Sequence, residues 1–119
     1  MAATKSLSTI IAAATSNAAG GTTTGTAIDL TTKYGALITG LITNGGTGPT
    51  LQAVAYVEVS GDNTNWKEFY RVGGGTIASA VTPFSCRIPA PAMYARVTVK
   101  DNTGQAVTCE AFAQILATV

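Results

Sequence analysis

Apolar and polar residues alternate with a period of two along much of the chain. Between Leu51 and Val59, residues Leu51, Ala53, Ala55, Val57 and Val59 fall on one side, and Gln52, Tyr56 and Glu58 on the other. That is the pattern of a strand buried on one face. The stretch Tyr94 to Lys100 repeats it with Ala95, Val97 and Val99 inward, and Val107, Cys109, Ala111 and Ala113 carry it through a last strand over 106–119. Trp66 to Val72 follows the turn Ser60 to Asn65 and predicts the return arm of a hairpin. Phe84 to Ile88 is a short strand held between Pro83 and Pro89, which suits a sheet edge. Ile28 to Leu30 and Ala36 to Thr43 supply two more pieces, joined at Tyr34-Gly35, and Ser6 to Thr15 reads as a first strand or an arm. The breaks fall at Asn44 to Pro49, Gly73 to Gly75 and Asp101 to Gly104. No 3.6-residue apolar stripe appears.

About seven or eight short antiparallel strands with regularly spaced turns predict an all-β fold, a single β-sandwich of immunoglobulin-like or jelly-roll-like topology. The sandwich is expected over residues 27–119. Residues 1–26 are expected to form an extended N-terminal arm rich in Ala, Thr and Gly, with Ala18 to Gly25 as a flexible connector.

Composition sharpens this picture. Of 119 residues only 11% are charged, against about a quarter in ordinary soluble domains, and the formal net charge is +1. A weakly charged surface rich in Thr, Ala and Gly suits a subunit packed against others. Seven scattered Lys and Arg make no basic stripe, so nucleic acid is not an expected partner. No apolar run reaches the roughly 18 residues of a membrane-spanning helix, so no membrane partner is expected either. Lys5 before Leu7 to Ala14 has the outline of a signal peptide, but the apolar run is short and broken by Ser8 and Thr9. The sequence contains no histidine, which removes the commonest general base, and the expectation is a protein that is not an enzyme and takes no cofactor.

The remaining candidates for chemistry each have a plainer explanation. Glu58 and Glu68 lie on neighbouring hairpin strands, where paired carboxylates could cleave a glycosidic bond, yet Lys67 and Arg71 beside them fit a charged surface. Gly20 to Thr26 lacks the lysine of a phosphate loop. Asp62-Asn63-Thr64-Asn65 could hold calcium, but one carboxylate and an Asx turn account for it, so no metal is expected. Cys86 and Cys109 are either two small core residues or a disulfide. Among the aromatics Trp66 is expected in the core, while Tyr56 and Tyr70 suit a half-wet interface.

A set of short motifs runs through residues 27 to 115. Tyr34-Gly35-Ala36 opens a strand that leads to Asn44-Gly45-Gly46-Thr47-Gly48-Pro49-Thr50; Val57-Glu58-Val59-Ser60 runs into Asp62 and Thr64-Asn65-Trp66; Asn102-Thr103-Gly104-Gln105 precedes Val107-Thr108. As a set these resemble small virion proteins of tailed bacteriophages, with Asn63 where the hairpin usually has Gly. The resemblance implies a β-sandwich structural subunit that decorates and cements the capsid, or else a tail, neck or baseplate part. A carbohydrate-binding module using Trp66 is the alternative from another class. A decoration protein implies the major capsid protein and copies of itself as partners, a homo-oligomer on the virion, and location on the capsid surface after assembly in the host cytoplasm. The contact residues expected on this reading are Lys5, Leu7, Ile10 and Ile11 in the arm, and Tyr56 and Tyr70 on the hairpin.

Overall fold

The period-two segments fold as strands. A computed structural model describes residues 3–118; residues 1, 2 and 119, at the tips of the expected arm and last strand, lie outside the described residues. Among the described residues there are nine strands: β1 (Thr4–Asn17), β2 (Thr23–Thr24), β3 (Ile28–Asp29), β4 (Ala36–Asn44), β5 (Val54–Ser60), β6 (Lys67–Gly73), β7 (Val81–Ile88), β8 (Tyr94–Lys100) and β9 (Val107–Thr118). They form two antiparallel sheets, one in the order β1-β9-β4-β7, the other β2-β8-β5-β6 with β3 also paired to β8. This is the expected all-β sandwich, with the two-residue β2 added inside the stretch read as a connector.

The inward positions meet between the sheets. Ile38 and Ile42 of β4, Ala55 and Val57 of β5, Val97 and Val99 of β8, and Ala111 and Ala113 of β9 are all fully buried. Burying each large aliphatic side chain contributes about 1.5–3 kcal/mol. Pro83 lies within β7 rather than before it, opposite Leu41. An edge strand has one side without a ladder partner, so a residue lacking an N–H is tolerated there. Leu51 does not join β5; it forms one bridge to Thr103 and its side chain stays exposed, because the chain is still turning out of the Gly48-Pro49 loop.

The largest departure from expectation is the N-terminal segment. Residues 4–17 do not extend away from the domain; they pair along β9 from Thr4↔Thr118 to Asn17↔Val107, with register shifts near Ile11. The irregularity sends two consecutive side chains inward, and Ile10 and Ile11 are 3% and 4% exposed. Here β1 also reaches the other sheet. Thr26 N–H donates to the Ile10 carbonyl at 2.9 Å, and Gly25 N–H to the Val97 carbonyl at 2.8 Å. A side chain on Gly25 would overlap Ile10. The connector is tied down as well: Gly20 N–H donates to the Asn102 carbonyl at 2.8 Å.

Both cysteines point inward and are free. Cys86 sits opposite Ile38 and Cys109 opposite Ile42, with β4 between their strands. Four residues along a strand is about 13 Å, far beyond disulfide reach. Burial pushes the Cys109 thiol up to about 11 and the Cys86 thiol also upward. A raised folded-state value means that this contribution to stability is complete below pH about 9 and is lost as pH rises toward 11. Both thiols are therefore expected to resist a water-soluble thiol reagent until the protein unfolds, and reductant is expected to leave the melting temperature unchanged. Rapid modification of the folded protein, followed by a thiol titration, would contradict this placement.

Candidate functional site

The outer faces of the two sheets differ in kind. On the β2-β8-β5-β6 sheet, charges are paired. Arg96 Nε donates to Glu58 Oε1 at 2.9 Å, and Thr98 Oγ1 donates to the same oxygen at 2.6 Å. Arg71 pairs with Glu68 at 3.0 Å. Tyr56 lies under Arg71 and Lys100, 5.4 Å and 5.1 Å from its ring centre, and its hydroxyl donates to the Asp101 carboxylate. That bond, with burial second, raises the Tyr56 hydroxyl above its ordinary value. Trp66 is not in the core: it stands half-buried beside this face with the Arg96 guanidinium 4.2 Å from its ring centre. Both Glu58 and Glu68 are thus held by cations, as a charged surface requires. Asp62 is spent on its own turn. Its carboxylate accepts the backbone N–H groups of Asn65 and Thr64 at 2.8 Å and 3.0 Å, the Asn65 amide and the Ser60 hydroxyl, which together hold it well below the usual carboxylate range. Asn63 adopts φ 60°, a conformation Asn tolerates in place of Gly.

The outer face of the β1-β9-β4-β7 sheet sets exposed apolar side chains among threonines and a few charged residues. Its register places Leu7, Gln114, Leu37 and Arg87 in one row across the four strands, and Thr9, Phe112, Thr39 and Ser85 in the next. Glu110, Leu41 and Pro83 follow, then Thr108, Thr43 and Val81. Leu7 is 68% and Leu37 44% exposed, Val81 is also exposed, and Leu41, Phe112 and Leu116 are half-buried. No ion pair forms among the described residues on this face. At its foot a groove of about 530 Å³ opens between Tyr34, Leu37, Leu116 and Pro89, with Lys5 and Arg87 at its margins. Exposed apolar side chains beside a groove are the kind of surface on which proteins in general dock one another.

The residues expected at contacts divide accordingly. Lys5 and Leu7 lie on this face. Ile10 and Ile11 do not: the irregular β1 turns them into the core, where no partner reaches them. Tyr56 is engaged on the opposite sheet. Tyr70 lies on neither outer face but in the seam between β6 and β7, beside Val72, Pro83 and Phe84. Alternation separates the two tyrosines, since Tyr56 is outward and Tyr70 stands opposite the inward Val57, and the register shift between Val57 and Glu58 then returns Glu68 to a place opposite the outward Glu58. Leu37, Leu41, Phe112 and Leu116 were not among the expected contacts. Their signal is in the sequence: from Leu37 to Ile42 apolar residues occupy both faces of one strand, which an antiparallel sheet with a solvated outer face does not call for.

No family model matches the chain, and no curated protein matches it. Solved structures do. A protein of the infectious bursal disease virus particle superposes with a TM-score of 0.62 at 12% identity, over 94% of this chain and 31% of that one. The chain therefore spans about a third of the length of the viral protein that it matches. The SPBc2 prophage-derived protein YomS matches with a TM-score of 0.50 at 12% identity, over 96% of both chains. A Bacillus endospore appendage protein, from a family of disulfide-linked pili, matches with a TM-score of 0.55 at 10% identity, over 100% of this chain and 93% of that one. At these identities the likeness is one of fold.

Proposed function

We propose that this chain is a virion structural protein that decorates and stabilises the capsid of a tailed bacteriophage, docking through the outer face of its β1-β9-β4-β7 sheet. The exposed Leu7, Leu37 and Val81 on that face, with no ion pair among its described residues, set against the paired charges of the opposite sheet, are the observation that carries the reading. The resemblance of the sequence motifs to those of tailed-phage virion proteins supports it. So does a fold found in a viral particle protein and in a prophage-derived protein. The partners are the major capsid protein and further copies of the chain, with no nucleic acid, membrane or cofactor involved. The action is mass action rather than catalysis: a protein that binds the assembled shell and not its free subunits stabilises the shell in proportion to its binding free energy. The carbohydrate-binding alternative has less support, because Trp66 is half-buried and Arg96 covers one face of its ring.

The reading is tested at Leu37, which is exposed on the interior strand β4 above the groove at the foot of the face. Desolvating one leucine contributes about 1.5–3 kcal/mol. Leu37→Asp is therefore expected to lower occupancy on purified particles at least about tenfold. Leu7→Asp is expected to do so to a smaller degree, and both variants should melt near the wild type. Unchanged occupancy for a folded Leu37→Asp variant would remove this face from the interface.

A further inference from the structure

The two ends of the sandwich are as unlike as its faces. One end carries the loops 45–53 and 74–80, from which Ile77 projects 74% exposed, with Leu51 exposed beside it. Neither loop contains a charged residue. The tip is nevertheless rigid. The buried Asn44 amide donates to the carbonyls of Gly74, Gly75 and Ile77 at 3.3, 3.2 and 2.9 Å, and Ser79 N–H donates to the Gly45 carbonyl at 2.8 Å. Gly48 packs so tightly on this loop that any side chain there would overlap the Thr76 carbonyl. A tip ordered in advance loses little entropy when it docks.

The opposite end carries a groove of about 440 Å³ between the β5–β6 turn and the 89–93 loop. Phe69, Pro89, Pro91 and Met93 wall it, Lys67 is its one charged lining residue, and no carboxylate lines it. Phe69 is the extra residue of the β6 irregularity, which leaves its ring exposed, and Met93 is exposed across from it. The chain measures 50 × 29 × 18 Å. A 14-residue strand such as β1 spans about 46 Å, so the long axis follows the strands and places tip and groove at its two ends.

We propose that copies of this chain associate head to tail, the Ile77 tip of one copy entering the Phe69–Met93 groove of the next. A second copy is the occupant that covers both exposed apolar sets with one repeated contact, and an uncharged tip enters a mostly apolar groove in which Lys67 is the one ion it meets. The cross-section of 29 × 18 Å limits the contact to about 500 Å² per copy, near the lower bound of specific interfaces, so the association is reversible and concentration-dependent. Because the two surfaces differ, the contact is heterologous and propagates into chains instead of closing as a two-fold dimer. The inference deepens the copy-to-copy part of the reading above, and rests on it only in regarding the copies as virion subunits.

Sedimentation velocity of the full chain up to about 1 mM tests it, a range that reaches weak contacts. The wild-type weight-average mass is expected to rise past that of a dimer. Ile77→Asp and Phe69→Asp, both at exposed positions, are expected to stay monomeric alone, with Met93→Asp as a second groove variant should Phe69→Asp melt early. Mixed in equal amounts, the tip variant and a groove variant are expected to form a heterodimer and stop there, since one intact tip and one intact groove remain. A wild type that is monomeric throughout overturns the proposal, as does an Ile77→Asp variant that self-associates normally, or a mixture that stays monomeric. A monomeric chain that still occupies particles overturns this inference alone. A chain-forming protein absent from particles overturns the virion reading alone.

Discussion

Deletion of residues 4–17 is expected to unfold the domain, and Ile10→Ala and Ile11→Ala are each expected to cost about 2–4 kcal/mol in urea denaturation. Both isoleucines are almost fully buried, so truncation removes transfer free energy and leaves a cavity that the surrounding strands only partly fill. Ile10 lies where β1 meets the other sheet, through the Thr26 and Gly25 hydrogen bonds to the carbonyls of Ile10 and Val97. Its loss loosens the contact between sheets as well as the core. Without β1, strand β9 becomes an edge, and an apolar edge of 12 residues invites aggregation. An arm lying outside the fold would behave differently: the truncated protein would keep its melting temperature and its solubility. Particle binding by a truncated chain therefore cannot report on docking unless its folding is measured first, and Leu7, exposed on the same strand, is the residue of this segment that does report on it.

The second large effect is expected at Asn102, where Asn102→Ala should cost about 2–3 kcal/mol, at the upper end for a buried hydrogen-bonded group. Asn102 is fully buried and Asn17 is 2% exposed. The Asn17 amide donates to Asn102 Oδ1 at 2.6 Å, and the Asn102 amide donates to the carbonyls of Gln105, Asn17 and Ala18 at 2.9, 3.3 and 3.4 Å. Thr23 Oγ1 donates in turn to Asn17 Oδ1 at 2.7 Å. This cluster fastens the end of β1 to the β8–β9 loop and to β2. Cutting Asn102 back to alanine leaves the buried Asn17 amide with the Gly21 carbonyl at 3.1 Å as its remaining close acceptor and removes the donor to the Asn17, Ala18 and Gln105 carbonyls, in a site where each lost hydrogen bond carries a desolvation cost. A double-mutant cycle with Asn17→Ala is expected to give a coupling energy of about 1–3 kcal/mol. Additive effects would mean that the two side chains act independently.

What was legible in the sequence follows from how local each signal is. The alternation at Tyr94 to Lys100 needs no knowledge of the rest of the chain, and it maps onto β8 with the same bounds. The hairpin of β5 and β6 was equally plain from its apolar face and its Asp62-Asn63 turn. The first strand was harder to place because its alternation breaks where Ile10 and Ile11 both turn inward, so half of its pattern resembles an arm. Asn44 and Asn102 read as loop punctuation and Asn17 carries no signal of its own, yet their partners lie far away in sequence: Asn17 meets Asn102, and Asn44 meets Gly74 to Ile77. No local rule separates such a buried clamp from a turn residue. The outer face of the β1-β9-β4-β7 sheet was half visible. Leu37 and Leu41 betrayed a strand apolar on both sides, but only the strand order β1-β9-β4-β7 sets Leu7 and Leu37 in one row.

The central claim, that this chain is a capsid-bound structural subunit, is tested most directly by its copy number in purified virions, measured by quantitative mass spectrometry against the major capsid protein. Repeated docking on a symmetric shell predicts about one copy per one to a few capsid subunits. A dozen copies or fewer per particle would place the protein in the tail, neck or baseplate, and its absence from particles would contradict the account altogether.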